Sequence, residues 1–217
     1  MVEEKPCVLL DWDDIYSLTK DVSEKIKETG WQPDTIIGIA RGAWVPSRIM
    51  CDFLGVTELL SIKVSHWGVT ATPDQKAKVK YPIREDLSDK NVLIIDDISD
   101  TGGTFKVAVD DVMEQNPENV KTATLQNIKG SDFRPDFYSK EIDWAWIIYP
   151  WNFVEDMINL SEEVLEEEPK TTSEILGDFE EYFGIDVKKE RLEYSLKEGV
   201  RRSKISRADN LWDTMGE

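Results

Sequence analysis

Apolar and polar positions along this chain switch between a helical period and short continuous apolar runs. From 13 to 29, Ile15, Leu18, Val22 and Ile26 recur at spacings of three and four, and Gly30 follows. That pattern predicts an amphipathic helix closed by a glycine. Thr35–Ala40 is apolar almost throughout, as a parallel strand buried on both faces must be. A helix over Trp44–Leu54 ending at Gly55, a strand over Glu58–Val64, a strand over Asn91–Asp96 and a helix over Phe105–Gln115 follow in turn. Val120–Ile128 and Trp144–Tyr149 read as further strands. Strands alternating with helices predict a doubly wound parallel α/β sheet.

The alternation breaks in two places. Ser65–Tyr81 is polar, contains Gly68 and Pro73 and shows no apolar period, which predicts a long loop of the kind that is either functional or disordered. After Trp151 the composition shifts. Residues 161–182 carry nine acids and one base, whereas 188–207 carry eight bases and three acids. This predicts a charged helical extension over 157–217, broken at Pro169 and Gly184, whose two halves pair with each other. The expected organisation is therefore a main domain over 1–156 and the extension over 157–217.

A formal net charge of −18 on 217 residues argues against nucleic acid and acidic membranes as partners. It also means that an anion site must supply its own local positive field. No run approaches the roughly 20 apolar residues of a membrane span, and 1–6 lack an apolar signal core. Cys7 and Cys51 form no Cys-x-x-Cys motif, so reduced thiols in a cytoplasmic protein are expected.

The chemistry concentrates in Val92–Thr104. Four apolar residues end in Asp96 and Asp97, and Asp100-Thr-Gly-Gly-Thr104 then opens the next helix. Ligands of open α/β sheets bind beyond the carboxyl ends of strands. Backbone N–H groups of a glycine turn at a helix start suit a phosphate. Two carboxylates there suit vicinal hydroxyls or Mg²⁺. A phosphorylated sugar needs all three features together. A nucleotide hydrolase would also need G-x-x-x-x-G-K-[ST], which the chain lacks.

The segment resembles the binding motif for 5-phosphoribosyl-1-pyrophosphate (PRPP) of type I phosphoribosyltransferases, enzymes that use Mg²⁺. The resemblance implies that fold: a parallel sheet flanked by helices, with a small base-binding hood. It puts the ribose hydroxyls on Asp96 and Asp97, the metal on Asp97, and the 5′-phosphate on Ser99, Asp100, Thr101, Gly102, Gly103 and Thr104. Asp100 is then the candidate general base. Ala40-Arg41-Gly42-Ala43 is similar to the pyrophosphate turn, with Arg41 and Gly42 in contact with the ligand; relatives carry a second glycine where Ala43 stands. Ser65–Tyr81 matches the mobile lid, with His66, Trp67, Lys76, Lys78 and Lys80 in it.

Lys129 and Trp144–Trp151 resemble the hood of 6-oxopurine enzymes of the xanthine-guanine and archaeal types. That implies Trp146 stacking on the base, Ile147 offering backbone groups and Lys129 donating to the purine oxygen. Where relatives place Asp after the last tryptophan, this chain has Asn152. The implied reaction is transfer of phosphoribose from PRPP to a 6-oxopurine in purine salvage, by a homo-oligomer (dimer or tetramer). Two alternatives share the fold: a phosphoribosyltransferase for another base, and a PRPP-binding regulator, which the basic stretch 188–207 would favour and the net charge opposes.

Overall fold

The structure, a computed structural model, describes residue 2, residues 4–66 and residues 77–215. By contacts the chain forms two compact units, one of residues 12–144 and one of residues 1–11 with 145–217. Residues 145–156 thus group with the C-terminal residues.

The larger unit begins with α1 (Trp12–Glu28), whose buried face is the predicted set Ile15, Leu18, Val22 and Ile26. There follow β2 (Thr35–Ala40), α2 (Trp44–Leu54), β3 (Glu58–His66) and β4 (Ala77–Tyr81). They lead to β5 (Asn91–Ser99), α3 (Gly103–Met113), β6 (Asn119–Ile128) and β7 (Phe137–Ile142). The label β1 belongs to Cys7–Leu9 of the other unit. Six strands form one sheet in the order β4-β3-β2-β5-β6-β7. All neighbours are parallel except β3 and β4, which are antiparallel. Every residue of β2 is buried, as are Val92 to Asp96 of β5, which explains why both read as unbroken apolar runs. Their side chains join α1, α2 and α3 in one core with Met50, Ile62, Phe105 and Ala108.

β2 leads on to β3 on one side and β5 leads on to β6 on the other. The winding reverses between these two central strands. Because they are parallel, both end on the same edge of the sheet. Such a switch point is where open α/β sheets bind ligands.

The smaller unit pairs β1 with β8 (Trp146–Ile148) as a parallel two-stranded ribbon. Three helices follow: α4 (Phe153–Val164), α5 (Thr172–Phe183) and α6 (Lys189–Arg201). An antiparallel hairpin of β9 (Ile205–Ala208) and β10 (Leu211–Thr214) closes the chain. One core unites Cys7 and Ile148 of the ribbon with Phe153, Met157, Phe179, Leu192, Leu196 and Trp212. The extension is helical as predicted, and it ends in a hairpin that its polar sequence did not suggest. Lys204 reaches Glu162 at 3.5 Å across the two charged segments. Lys170–Asp178 and Arg201–Glu198 close within each segment.

Two expectations need correction. Ser65–Tyr81 is not a loop throughout: β3 runs on to His66, and Ala77–Tyr81 pairs back against it. Ala77 and Val79 pack on the core while Lys78 and Lys80 are exposed, so this strand has a period of two. The remaining lid residues, Trp67 and Lys76 among them, and the side chain of His66 lie outside the described residues. Trp144–Tyr149 does not extend the main sheet; its strand pairs with β1, and the sheet edge is β7 instead.

Candidate active site

At the end of β5 the chain turns through Ser99–Gly102 into α3. Gly102 adopts φ +78°, a left-handed conformation that L side chains avoid. A Cβ there would collide with the side chain of Phe133 and stand 2.9 Å from its backbone nitrogen. Phe133 is held in turn by stacking on Phe105, with ring centroids 5.1 Å apart. Ser99 is buried and its hydroxyl donates to the Phe133 carbonyl at 3.2 Å. The turn is thereby fixed from below. Above it, Asp100 and Thr101 are exposed and Gly103 and Thr104 half-exposed. No side chain caps the N-terminus of α3 and no acid lies in its first turn. Its leading N–H groups and the positive end of the helix dipole are suited to an anion.

The turn after β2 comes to the same edge. The Ala40–Arg41 peptide is cis. Gly42 lies so close to Asp97 that a Cβ would collide with Oδ2 and stand 2.7 Å from Oδ1. A side chain there would force the Asp97 carboxylate to move. Arg41 is exposed beside it. Lys63, in β3, donates to the Ala40 carbonyl at 3.4 Å and adds a cation that sequence reasoning missed.

The two carboxylates differ. Asp96 is buried, and burial first and then the charge of Asp97 push its carboxyl well above the usual range. Asp97 is half-buried, and its Oδ1 accepts from the Ile98 N–H at 3.0 Å. Asp97 is thus the member that reaches Gly42 and solvent. Among the described residues no three His, Cys, Asp or Glu side chains cluster as a metal site. Mg²⁺ commonly takes one or two carboxylates and draws its other ligands from water and substrate phosphates. Hard oxygen donors without a closed cage fit that habit.

The structure therefore brings together Arg41, Gly42, Asp96, Asp97 and Ser99–Thr104 on one edge of the larger unit. Lys129, in the same unit, holds Asp143 with both oxygens at 2.9 and 3.0 Å.

Trp146 and Ile147 belong to the smaller unit. Trp146 N–H donates to the Pro6 carbonyl, and the Ile148 carbonyl accepts from Leu10 N–H. By alternation, the N–H and C=O of Ile147 point to the opposite edge, where no described strand pairs. The Trp146 indole is 43% exposed, enough to present a face. Its Nε1 donates to Asp156 Oδ1 at 3.2 Å. Asn152 is the N-cap of α4, with no side-chain cap bond. Phe133, Lys63 and Asp156 had no signal in the sequence, because each depends on a contact between distant segments.

Residues 9–155 match the phosphoribosyl transferase domain. The chain belongs to the phosphoribosyltransferase family. It is 26% identical to the hypoxanthine-guanine phosphoribosyltransferase of Aquifex aeolicus, over 65% of this chain and 83% of that one. It is 23% identical to the xanthine-guanine phosphoribosyltransferase of Idiomarina loihiensis, over 66% of this chain and 85% of the relative. Among solved structures, a purine phosphoribosyltransferase from Pyrococcus horikoshii is 33% identical with a TM-score of 0.60. That likeness covers 67% of this chain and 93% of the other.

Proposed function

We propose that the chain is a purine phosphoribosyltransferase that transfers phosphoribose from PRPP to a 6-oxopurine and releases pyrophosphate. The observation that supports this most is the convergence of the Arg41–Gly42 turn on Asp97, beside an uncapped glycine-started helix. A ligand with two phosphate ends and a diol between them matches that arrangement.

The α3 N-terminus with Thr101 and Thr104 binds the 5′-phosphate, and Asp97 with Asp96 orients the ribose hydroxyls. Arg41 and the Gly42 backbone take the pyrophosphate, where negative charge grows as the C1–O bond breaks. Bound Mg²⁺ would help offset that charge, with Asp97 as its protein ligand. Trp146 stacks the purine, Ile147 offers backbone donor and acceptor to its edge, and Lys129 donates to its oxygen. As N9 bonds to C1 the base loses a proton, which Asp100 accepts. The protein works in the cytoplasm as a homo-oligomer.

The test is pyrophosphate release with PRPP, Mg²⁺ and hypoxanthine, guanine, xanthine or adenine in turn. Release with one or more 6-oxopurines, together with the matching nucleoside monophosphate, is expected. Turnover with adenine alone moves the specificity elsewhere, and silence with all four overturns the reading.

A further inference from the structure

The indole of Trp146 is anchored from a helix outside the segment that the hood motif covers. Asp156, on α4, accepts its N–H through Oδ1, while Oδ2 is buried with no partner. An unsatisfied buried carboxylate oxygen is costly, and an apolar side chain would fill the same place without that cost. Lys5 adds a second restraint. Its Nζ lies 5.7 Å from the Trp146 ring centroid and 5.4 Å from that of Phe183. Glu163, also on α4, holds the same Nζ at 2.6 and 2.8 Å. The ring is thus held at its N–H edge and along one face, and both holds lead into the core of α4 and α5.

We propose that Asp156 is a positioning residue for base recognition: it fixes the Trp146 indole, and through it residues 153–215 set the affinity for the purine. This rests on the reading of Trp146 as the stacking platform. An exposed indole that swings between rotamers must be immobilised when a base binds, and a ring already bonded to a rigid helix does not. An ionised acceptor makes that bond roughly twice as strong as a neutral one.

The charge state of the acceptor supplies a readout that a merely structural contact would not give. Burial, more than any other cause, raises the Asp156 carboxyl to about 6. The charged or titratable groups around it are Lys5 and Cys7 from the first strand segment and Glu155 and Glu163 from α4. Above that pH Asp156 is a carboxylate and holds the indole firmly. Below it the neutral acid holds it less, so the KM for the base rises as pH falls from 7 to 5.

The experiment compares the parent with Asp156→Leu, Asp156→Asn and Trp146→Ala. KM is measured separately for PRPP and for a purine that does not itself titrate between pH 5 and 7. Asp156→Leu is expected to raise the base KM ~10-fold with the PRPP KM nearly unchanged. Asp156→Asn, which keeps an oxygen acceptor but not the charge, is expected to raise the base KM at neutral pH by less than the Leu variant does and to flatten the dependence on pH. If Trp146→Ala raises the base KM but Asp156→Leu does not, the positioning role is wrong and the platform stands. An unchanged base KM in Trp146→Ala removes both. A parent pH profile identical to that of Asp156→Asn also overturns the proposal, even if the Leu variant fails to fold.

Discussion

Two helix N-termini in this molecule are built to opposite ends. At α5, Thr171 accepts from Glu174 N–H, and Glu174 in return accepts from the Thr171 N–H at 2.7 Å. This capping box consumes backbone donors internally and places a carboxylate in the first turn. Those bonds pull the Glu174 carboxyl below its usual range. At α3 a left-handed glycine precedes the helix, with no side-chain cap and no acid in the first turn. The first arrangement spends the helix end on stability. The second leaves it available to a phosphate and depends on Phe133 and Ser99 to hold the turn.

The largest effect that would break this contrast comes from Gly102→Ala. The new Cβ meets Phe133 at a strained φ, and the cup moves with the turn. A displacement of order 1 Å costs ~10²-fold in rate, so kcat/KM for PRPP should fall at least that far. A variant with near-parental kinetics would mean that the cup is not where phosphate binds. Next comes Asp100→Asn, which keeps shape and removes a proton acceptor within the turn. Turnover should drop at least ~10²-fold with the variant still folded; normal kcat would exclude Asp100 as the base.

Thr171→Ala tests the other helix. Loss of this cap should cost about 1 kcal/mol in thermal or denaturant unfolding, with the KM for PRPP unaltered. A change in that KM would show that α5 is more than a structural terminus. The smallest effect on stability is expected from Gly103→Ala. Its nearest neighbours lie at 3.8 Å, so stability should shift by less than about 0.5 kcal/mol. The KM for PRPP should nonetheless rise, because the methyl group adds bulk at the first residue of α3, beside Thr101; an unaltered KM would place the phosphate elsewhere.

Legibility from sequence followed local physics. β2 and β5 are buried on both faces, so their apolar runs announced them, and β2 was located to the residue at both ends. α1 and α2 were equally plain because helical spacing and the closing glycines agreed. The strand β7 escaped, since Lys140 and Glu141 at its exposed sheet edge carry no apolar pattern. The three-residue β1 was too short to show a period and exists only because Trp146–Ile148 pairs with it. The acidic pair, the glycine turn before α3 and the Arg41–Gly42 turn could be picked out because each is contiguous in the sequence. The supports could not: Phe133 beneath Gly102 and Asp156 behind Trp146 are brought there by tertiary folding.

The pairing of Cys7–Leu9 with Trp146–Ile148 has a consequence for how the protein is made. Synthesis is vectorial, and this N-terminal strand emerges long before its partner. Residues 12–144 contain a complete sheet and core of their own and can collapse as they leave the ribosome. The ribbon carrying Trp146 must wait for the C-terminal helices that share its core. A nascent chain released before α4 would therefore already contain the glycine turn that opens α3 and have no finished support for the indole.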